Sequence, residues 1–138
     1  MKHFIDISNL SKEKLISLLN SSIQSKNRSI SKEKLNKVIG LFFEKNSTRT
    51  RLSFELAINQ LGSSSTFISS KDSHFGWRKE SLEDTAKTFA LYLDAVVMRV
   101  KNHNTLINFA ENSSIPIING LSDLSHPCQT LALSLIHI

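Results

Sequence analysis

Five consecutive residues, Ser47-Thr48-Arg49-Thr50-Arg51, set three hydroxyls and two guanidinium groups directly behind an apolar run. Where a helix opens, its first backbone N–H groups have no partner inside it, and its dipole adds about half a positive charge. Such an end is an anion site before any side chain contributes. Ser47, Thr48 and Thr50 add hydroxyl donors, and Arg49 adds a fork of N–H groups that matches phosphate oxygens in pairs. The plainer account makes Ser47 an N-cap and the arginines surface charges. Crowding both kinds of donor into five residues favours a small phosphorylated anion.

Two further places carry chemistry. Arg99 closes the apolar run DAVVMRV, so its guanidinium is expected at the carboxyl edge of a sheet, as an anion contact or as a salt-bridge partner. His126-Pro127-Cys128-Gln129 brings together an imidazole, a thiol and an amide. The histidine reads equally as a structural residue, and sequence neighbours seldom face each other as a Cys-His nucleophile pair. No Cys/His or Asp/Glu–His spacing resembles a metal site, and Cys128 has no second cysteine to share one. His74 is a polar loop residue without local meaning, and Trp77 is a lid anchor or loop packing.

The elements that must position these groups follow from periodicity. Leu15, Ile16, Leu18, Leu19 and Ile23 predict a helix over about 12–25. Lys37–Phe43 (KVIGLFF) reads as a buried strand, followed by a helix from Thr48 to Leu61-Gly62, where the glycine suits a C-terminal cap. Ser65–Ser69 is a strand and Ser70–Glu80 a loop. Ser81-Leu82-Glu83-Asp84 is a capping box that opens a helix to about Leu93. Asp94–Val100 is a strand, Asn104–Glu111 a short helix, Pro116–Leu121 a fourth strand, and Ser122–Gln129 a loop. Alternating strands and helices predict a three-layer α/β fold, a parallel sheet with helices on both faces and ligands beyond the carboxyl ends of its strands.

Composition sets the class. The chain has 138 residues, 40% of them hydrophobic and 21% charged, the profile of one globular domain. One cysteine excludes an internal disulfide framework and suits a reducing compartment. No stretch approaches the ~20 apolar residues of a membrane span, and cytosol is the default location. The net charge of +5 divides into +7 over residues 1–51 and −2 over the rest. A basic half can serve nucleic acid, but the chain lacks the interleaved aromatics of a single-strand binder, and a solvated lysine-rich surface explains the charge.

At the chemically suggestive residues the sequence resembles the transcarbamoylases. The match is carried by FFEKNSTRTRLSFE at Phe42–Glu55, DAVVMR at Asp94–Arg99 and HPCQTLA at His126–Ala132. INGLSD before HPCQ, and ESLEDTA at Glu80–Ala86, are similar to the ornithine branch; the aspartate branch is the alternative, and a non-catalytic anion-binding module a further one. The resemblance implies an N-terminal, carbamoyl-phosphate-binding domain over residues 1–132. It also implies a second, amino-acid-binding domain absent here, and a homotrimer with active sites between subunits. By the same resemblance Ser47, Thr48, Arg49 and Thr50 hold the phosphate of carbamoyl phosphate. Arg99, His126 and Gln129 contact its carbamoyl group with help from Thr50, Pro127 and Cys128 belong to the same element, and His74 reaches towards a neighbouring subunit's site. Carbamoyl transfer to L-ornithine needs no metal, cofactor or covalent intermediate. Residues 133–138 depart from the family's continuing helix and are read as an aberrant tail, and residues 1–138 alone are not expected to make citrulline.

Overall fold

The computed structural model describes residues 3–27, 34–71 and 80–135. After a 3-10 turn at Ile7–Asn9 the elements run α1 (Lys12–Asn27), β1 (Val38–Phe43), α2 (Thr48–Gln60) and β2 (Ser64–Ser69). They continue with α3 (Leu82–Tyr92), β3 (Ala95–Arg99), α4 (His103–Glu111), β4 (Ile117–Leu121) and α5 (Pro127–Ser134). The four strands are parallel in the order β2-β1-β3-β4. Each predicted strand and helix is present within about three residues of its expected ends; α5, by contrast, lies partly where a loop was expected.

Strand alternation divides the core between two faces. Phe42, Val96, Met98 and Ile117 pack with Ala86 of α3 and with Leu106 and Phe109 of α4. Leu41, Phe43 and Val97 point the other way, towards Ile58 and Phe54 of α2. The ring centroids of Phe42 and Phe89 lie 5.9 Å apart, and those of Phe89 and Phe109 5.7 Å, so one aromatic row joins β1, α3 and α4. A sheet covered on both faces needs central strands that are apolar throughout, and that is why β1 and β3 read as continuous runs, while the edge strand β2 (SSTFIS) carries hydroxyl residues.

Local signals fix the ends. Ser81 accepts the Asp84 N–H at 3.0 Å while its own hydroxyl donates to the Asp84 carboxylate at 2.7 Å, closing the start of α3. At the amino end of the sheet Asp94 accepts from the Val38 N–H at 2.8 Å and from Lys37 Nζ at 2.9 Å, tying β1 to β3. At the free edge of β4, Phe4 forms a single parallel bridge with Ile118. Its carbonyl accepts from the Asn119 N–H at 2.8 Å, which shields that edge.

Gly62 ends α2 with φ of +70°, the left-handed region the sequence led us to expect at this cap. A β-carbon there would lie 2.7 Å from Lys34 Cβ and 3.1 Å from its Cα. Gly62→Ala is therefore expected to lower stability by about 1 kcal/mol or more. Denaturant melts of the two proteins check this, and an unchanged midpoint would show that the cap relaxes freely.

Candidate functional site

From β1 the chain turns through α2 to β2 on one side; from β3 it passes through α4 to β4 on the other. The two central strands therefore send their following loops apart and leave a crevice beyond their carboxyl ends. Both loops are fastened there. The Glu44 N–H donates to the Arg99 carbonyl at 2.9 Å, and the Lys101 N–H donates to the Glu44 carboxylate at 2.6 Å.

α2 begins at this crevice. Ser47 stands at its N-cap with extended backbone, yet its hydroxyl caps no N–H. It donates instead to Thr50 Oγ1 at 3.0 Å, and Arg99 Nη1 donates to the same oxygen at 3.0 Å. Thr50 thus accepts twice and keeps its own proton to give. The first turn of α2 has no side-chain cap, so its N–H groups and dipole face the crevice together with Arg49, which is exposed. Register helps to place Arg99: Met98 pairs with Asn119 but Arg99 with Leu121, a bulge at the strand end of the kind that re-aims a side chain.

The opposite wall is α5. A loop was expected through Gln129, but the helix starts at Pro127 with His126 at its N-cap, so the Ser122–Gln129 segment is half turn and half helix. Proline at the first helical position was the signal for this, because its missing N–H costs nothing there. Arg49, Thr50, Ser53, Phe54 and Ala57 of α2 face His126, Cys128, Gln129 and Ala132 across a cleft of about 410 Å³. Ser47 and Thr48 line an adjoining hollow of about 390 Å³ with Arg51 and Phe67. Arg51 is engaged elsewhere: it pairs with Glu55 at 2.8 Å and lies 3.9 Å above the Phe67 ring. A further hollow of about 710 Å³, lined by none of these residues, lies beside the N-terminal segment and α4.

Five predicted residues, Arg49, Thr50, His126, Cys128 and Gln129, thus line one cleft, Ser47 and Thr48 line the hollow beside the same helix start, the buried Pro127 opens α5 between them, and Arg99 joins them through Thr50. His74 and Trp77 fall outside the described residues. Asn119, buried in β4 behind the His126 turn, is a site neighbour that sequence reasoning missed; its only signal was a polar residue inside an apolar strand.

The electrostatics are one-sided. Among the described residues, Arg99 Nε and His126 Nδ1 are buried without a hydrogen-bond partner. Burial, and then the Arg99 charge, hold the His126 imidazole below its ordinary 6.5. Near neutrality it is therefore a neutral donor-acceptor beside a permanent cation. Cys128 is the reverse of a nucleophile: burial pushes its thiol up to about 11, and its Sγ donates to the Asn119 carbonyl at 3.5 Å.

A helix start, a paired threonine and arginine, and a histidine-led second helix meet at the switch point of a parallel sheet, in a crevice rich in hydrogen-bond donors. The chain belongs to the aspartate/ornithine carbamoyltransferase family: the sequence model of that family's carbamoyl-P binding domain matches residues 2–136. It is 43% identical over 131 residues to the ornithine carbamoyltransferase of Methanococcus aeolicus, covering 94% of this chain and 43% of that protein. It also superposes on the anabolic ornithine carbamoyltransferase of Campylobacter jejuni with a TM-score of 0.89 at 43% identity, covering 98% of this chain and 44% of that one. The ornithine carbamoyltransferase of Thermus thermophilus gives 0.91 at 34% identity, covering 98% and 47%. The chain thus spans under half the length of the relatives it matches.

Two outcomes follow from the ionisation states. Iodoacetamide should label Cys128 slowly at pH 8 and speed up only as pH nears about 11; rapid labelling at pH 8 would show an exposed thiolate. Because the folded His126 value lies below the unfolded one, its contribution to stability is complete above pH 6.5 and is lost as pH falls through the folded value. Melting temperatures of the protein and of His126→Gln should therefore diverge between neutral and mildly acidic pH, the parent losing more.

Proposed function

We propose that the crevice binds carbamoyl phosphate and that the chain is the electrophile-binding half of an ornithine carbamoyltransferase. The observation that carries this is the uncapped start of α2, with Ser47, Arg99 and Thr50 linked so that the helix N–H groups and the Thr50 proton stay available. In this reading the phosphate rests on the α2 start and on Ser47, Thr48, Arg49 and Thr50. Arg99, His126 and Thr50 meet the carbamoyl oxygen, and the Gln129 amide oxygen takes the carbamoyl N–H. Pro127 and Cys128 place this wall as the first turn of α5. His74 is kept as a contact to a neighbouring subunit's site.

The chemistry needs donors rather than a nucleophilic side chain. An amine adds to the carbamoyl carbon, the carbonyl oxygen gains negative charge, the C–O bond to phosphate breaks and inorganic phosphate departs. Arg99 supplies a fixed positive charge at that oxygen and neutral His126 an N–H, preorganised in a partly buried site. The α2 dipole and Arg49 stabilise the leaving phosphate. L-Ornithine would be held by the second half that the matched relatives' greater length provides for, with closure of the two halves bringing amine and carbamoyl group together. The aspartate branch uses the same electrophile and stays the alternative, decided by which amino acid the completed protein carbamoylates.

The same reading makes the protein a cytoplasmic homotrimer of arginine metabolism. Leu52 and Leu56 on α2 are 59% and 60% exposed, Leu91 and Tyr92 at the end of α3 80% and 75%, more apolar surface than a lone domain of this size needs to show. Residues 1–132 form the carbamoyl-phosphate domain in this proposal. α5 itself continues without a break through Leu133 and Ser134, the start of the segment set apart as a tail.

Phosphate and carbamoyl phosphate should both raise the melting temperature of this chain. Arg49→Ala should abolish most of that rise, a loss of about 1.5–3 kcal/mol of binding for one charge-assisted pair. An unchanged ligand-induced shift in the variant would refute the assignment. In the protein completed by its second domain, Arg99→Ala or His126→Ala should lower kcat by about a hundredfold or more while phosphate binding changes less; near-normal turnover of His126→Ala would return that residue to a structural role.

A further inference from the structure

We propose that Asn119 is a positioning residue for His126, its side-chain amide holding the residue just before it so that the imidazole faces Arg99 with no side-chain bond of its own among the described residues. The proposal rests on the carbamoyl-phosphate reading above.

Asn119 is fully buried in the middle of β4, a place where a polar side chain costs stability unless its groups are satisfied. Its Nδ2 donates to the Ile5 carbonyl at 2.9 Å, to Ser125 Oγ at 3.2 Å and to the Ser125 carbonyl at 3.4 Å. Three acceptors around one nitrogen fix which way the amide points. The cost is visible on the other atom: among the described residues, Oδ1 is buried with no partner. An apolar residue of similar shape would avoid that cost, so stability alone does not account for the amide.

What the amide holds does account for it. Its Nδ2 holds Ser125, which immediately precedes His126, while the backbone carbonyl of the same residue accepts from Cys128 Sγ at 3.5 Å, two residues beyond it. The histidine therefore sits between a residue that the Asn119 side chain holds and one that the β4 backbone holds. The turn is braced from its outer side as well. Ser122 Oγ lies 2.7 Å from His103 Nδ1, the Asp123 carboxylate accepts the His103 N–H at 2.8 Å, and the Ser122 N–H donates to the Ser125 carbonyl at 3.0 Å. Asp6 closes the group: the Ser125 hydroxyl beside it, followed by the Ser8 N–H, holds its carboxyl below the usual carboxylate range. His126 itself caps nothing with its side chain, and its Nδ1 has no partner among the described residues. Its direction is thus inherited from its neighbours. A β4 strand with a donor at this position sets the second wall of the crevice, just as the Arg99–Thr50 bond sets the first.

The test uses this chain, with inorganic phosphate and phosphonoacetamide, which keeps the carbamoyl oxygen and replaces the labile bridging oxygen by a methylene. Asn119→Ala should leave the phosphate Kd within about twofold and weaken phosphonoacetamide by about fivefold or more, the scale of one lost hydrogen bond. The His126 imidazole resonance, assigned by its loss in His126→Ala, should titrate at a higher midpoint in Asn119→Ala, nearer the ordinary 6.5, as the ring leaves its buried place beside Arg99. The Asn119→Ala/His126→Ala pair should bind phosphonoacetamide no more weakly than His126→Ala alone, because the first residue acts through the second. Should Asn119→Ala fail to fold, Ser125→Ala removes one acceptor of the clamp and is expected to move the same readouts in the same direction, by less. Equal weakening of both ligands, additive losses in the double variant or an unmoved His126 titration would overturn the proposal. A parent protein that does not prefer phosphonoacetamide to phosphate would instead count against the carbamoyl-phosphate reading, and the His126 titration would still decide the positioning role.

Discussion

β1 is hydrogen-bonded along both edges and covered on both faces, and the molecule is arranged around that burial. Leu41, Phe42 and Phe43 are each at most 1% exposed, so every backbone group they carry must find its partner in β2 or β3. Neither neighbour can be reached by a tight turn, because both pairings are parallel and each needs a crossover. The helix after β1 therefore leads to one side and the strand after the next helix must return to the other. The crevice at the carboxyl ends of β1 and β3 is a consequence of that path. A binding site there needs no additional design in the backbone.

Side chains convert the crevice into a site by leaving bonds open. An ordinary N-cap serine satisfies its own helix; here Ser47 turns to Thr50, and Arg99 reaches the same oxygen from the next strand. Elsewhere the chain closes such ends fully, as Ser81 does for α3 and Asn102 does for α4 by accepting the Asn104 N–H at 2.8 Å. The contrast within one molecule matters more than either helix alone. Unsatisfied polar atoms are costly when buried, and the described residues concentrate them at Arg99 Nε, His126 Nδ1 and the Oδ1 of the adjacent Asn119. A region that withholds its bonds from the protein has them available for a ligand.

The two walls differ in how they are fixed. On the α2 side, placement is direct: Arg99 and Thr50 touch across 49 residues of sequence. On the α5 side it is indirect, through a turn held from β4 by Asn119 at Ser125 and from α4 by His103 at Ser122 and Asp123. Indirect placement leaves His126 Nδ1 buried with no hydrogen-bond partner among the described residues. It also explains why a chain otherwise economical with polar burial keeps an amide in its sheet.

The residues alone determined much of this protein. Short runs bounded by turn residues located all four strands, the Ser81–Asp84 box and Gly62 marked helix ends, and STRTR after a buried strand marked the start of α2, because each of these signals acts within a few neighbours along the chain. The sequence predicts a loop through HPCQ, yet Pro127 opens a helix there, one too short and too exposed to show an apolar period. Strand order belongs to a different category. That β3 lies beside β1 rather than β2 depends on which faces α2 and α3 cover, a matter of packing between segments about thirty residues apart. Only that order brings Arg99 to Thr50 and His126 to face Arg49. The roles of Asn119 and Ser125 were equally invisible, since an amide in a strand and a serine in a turn acquire meaning only through the partners that tertiary folding supplies.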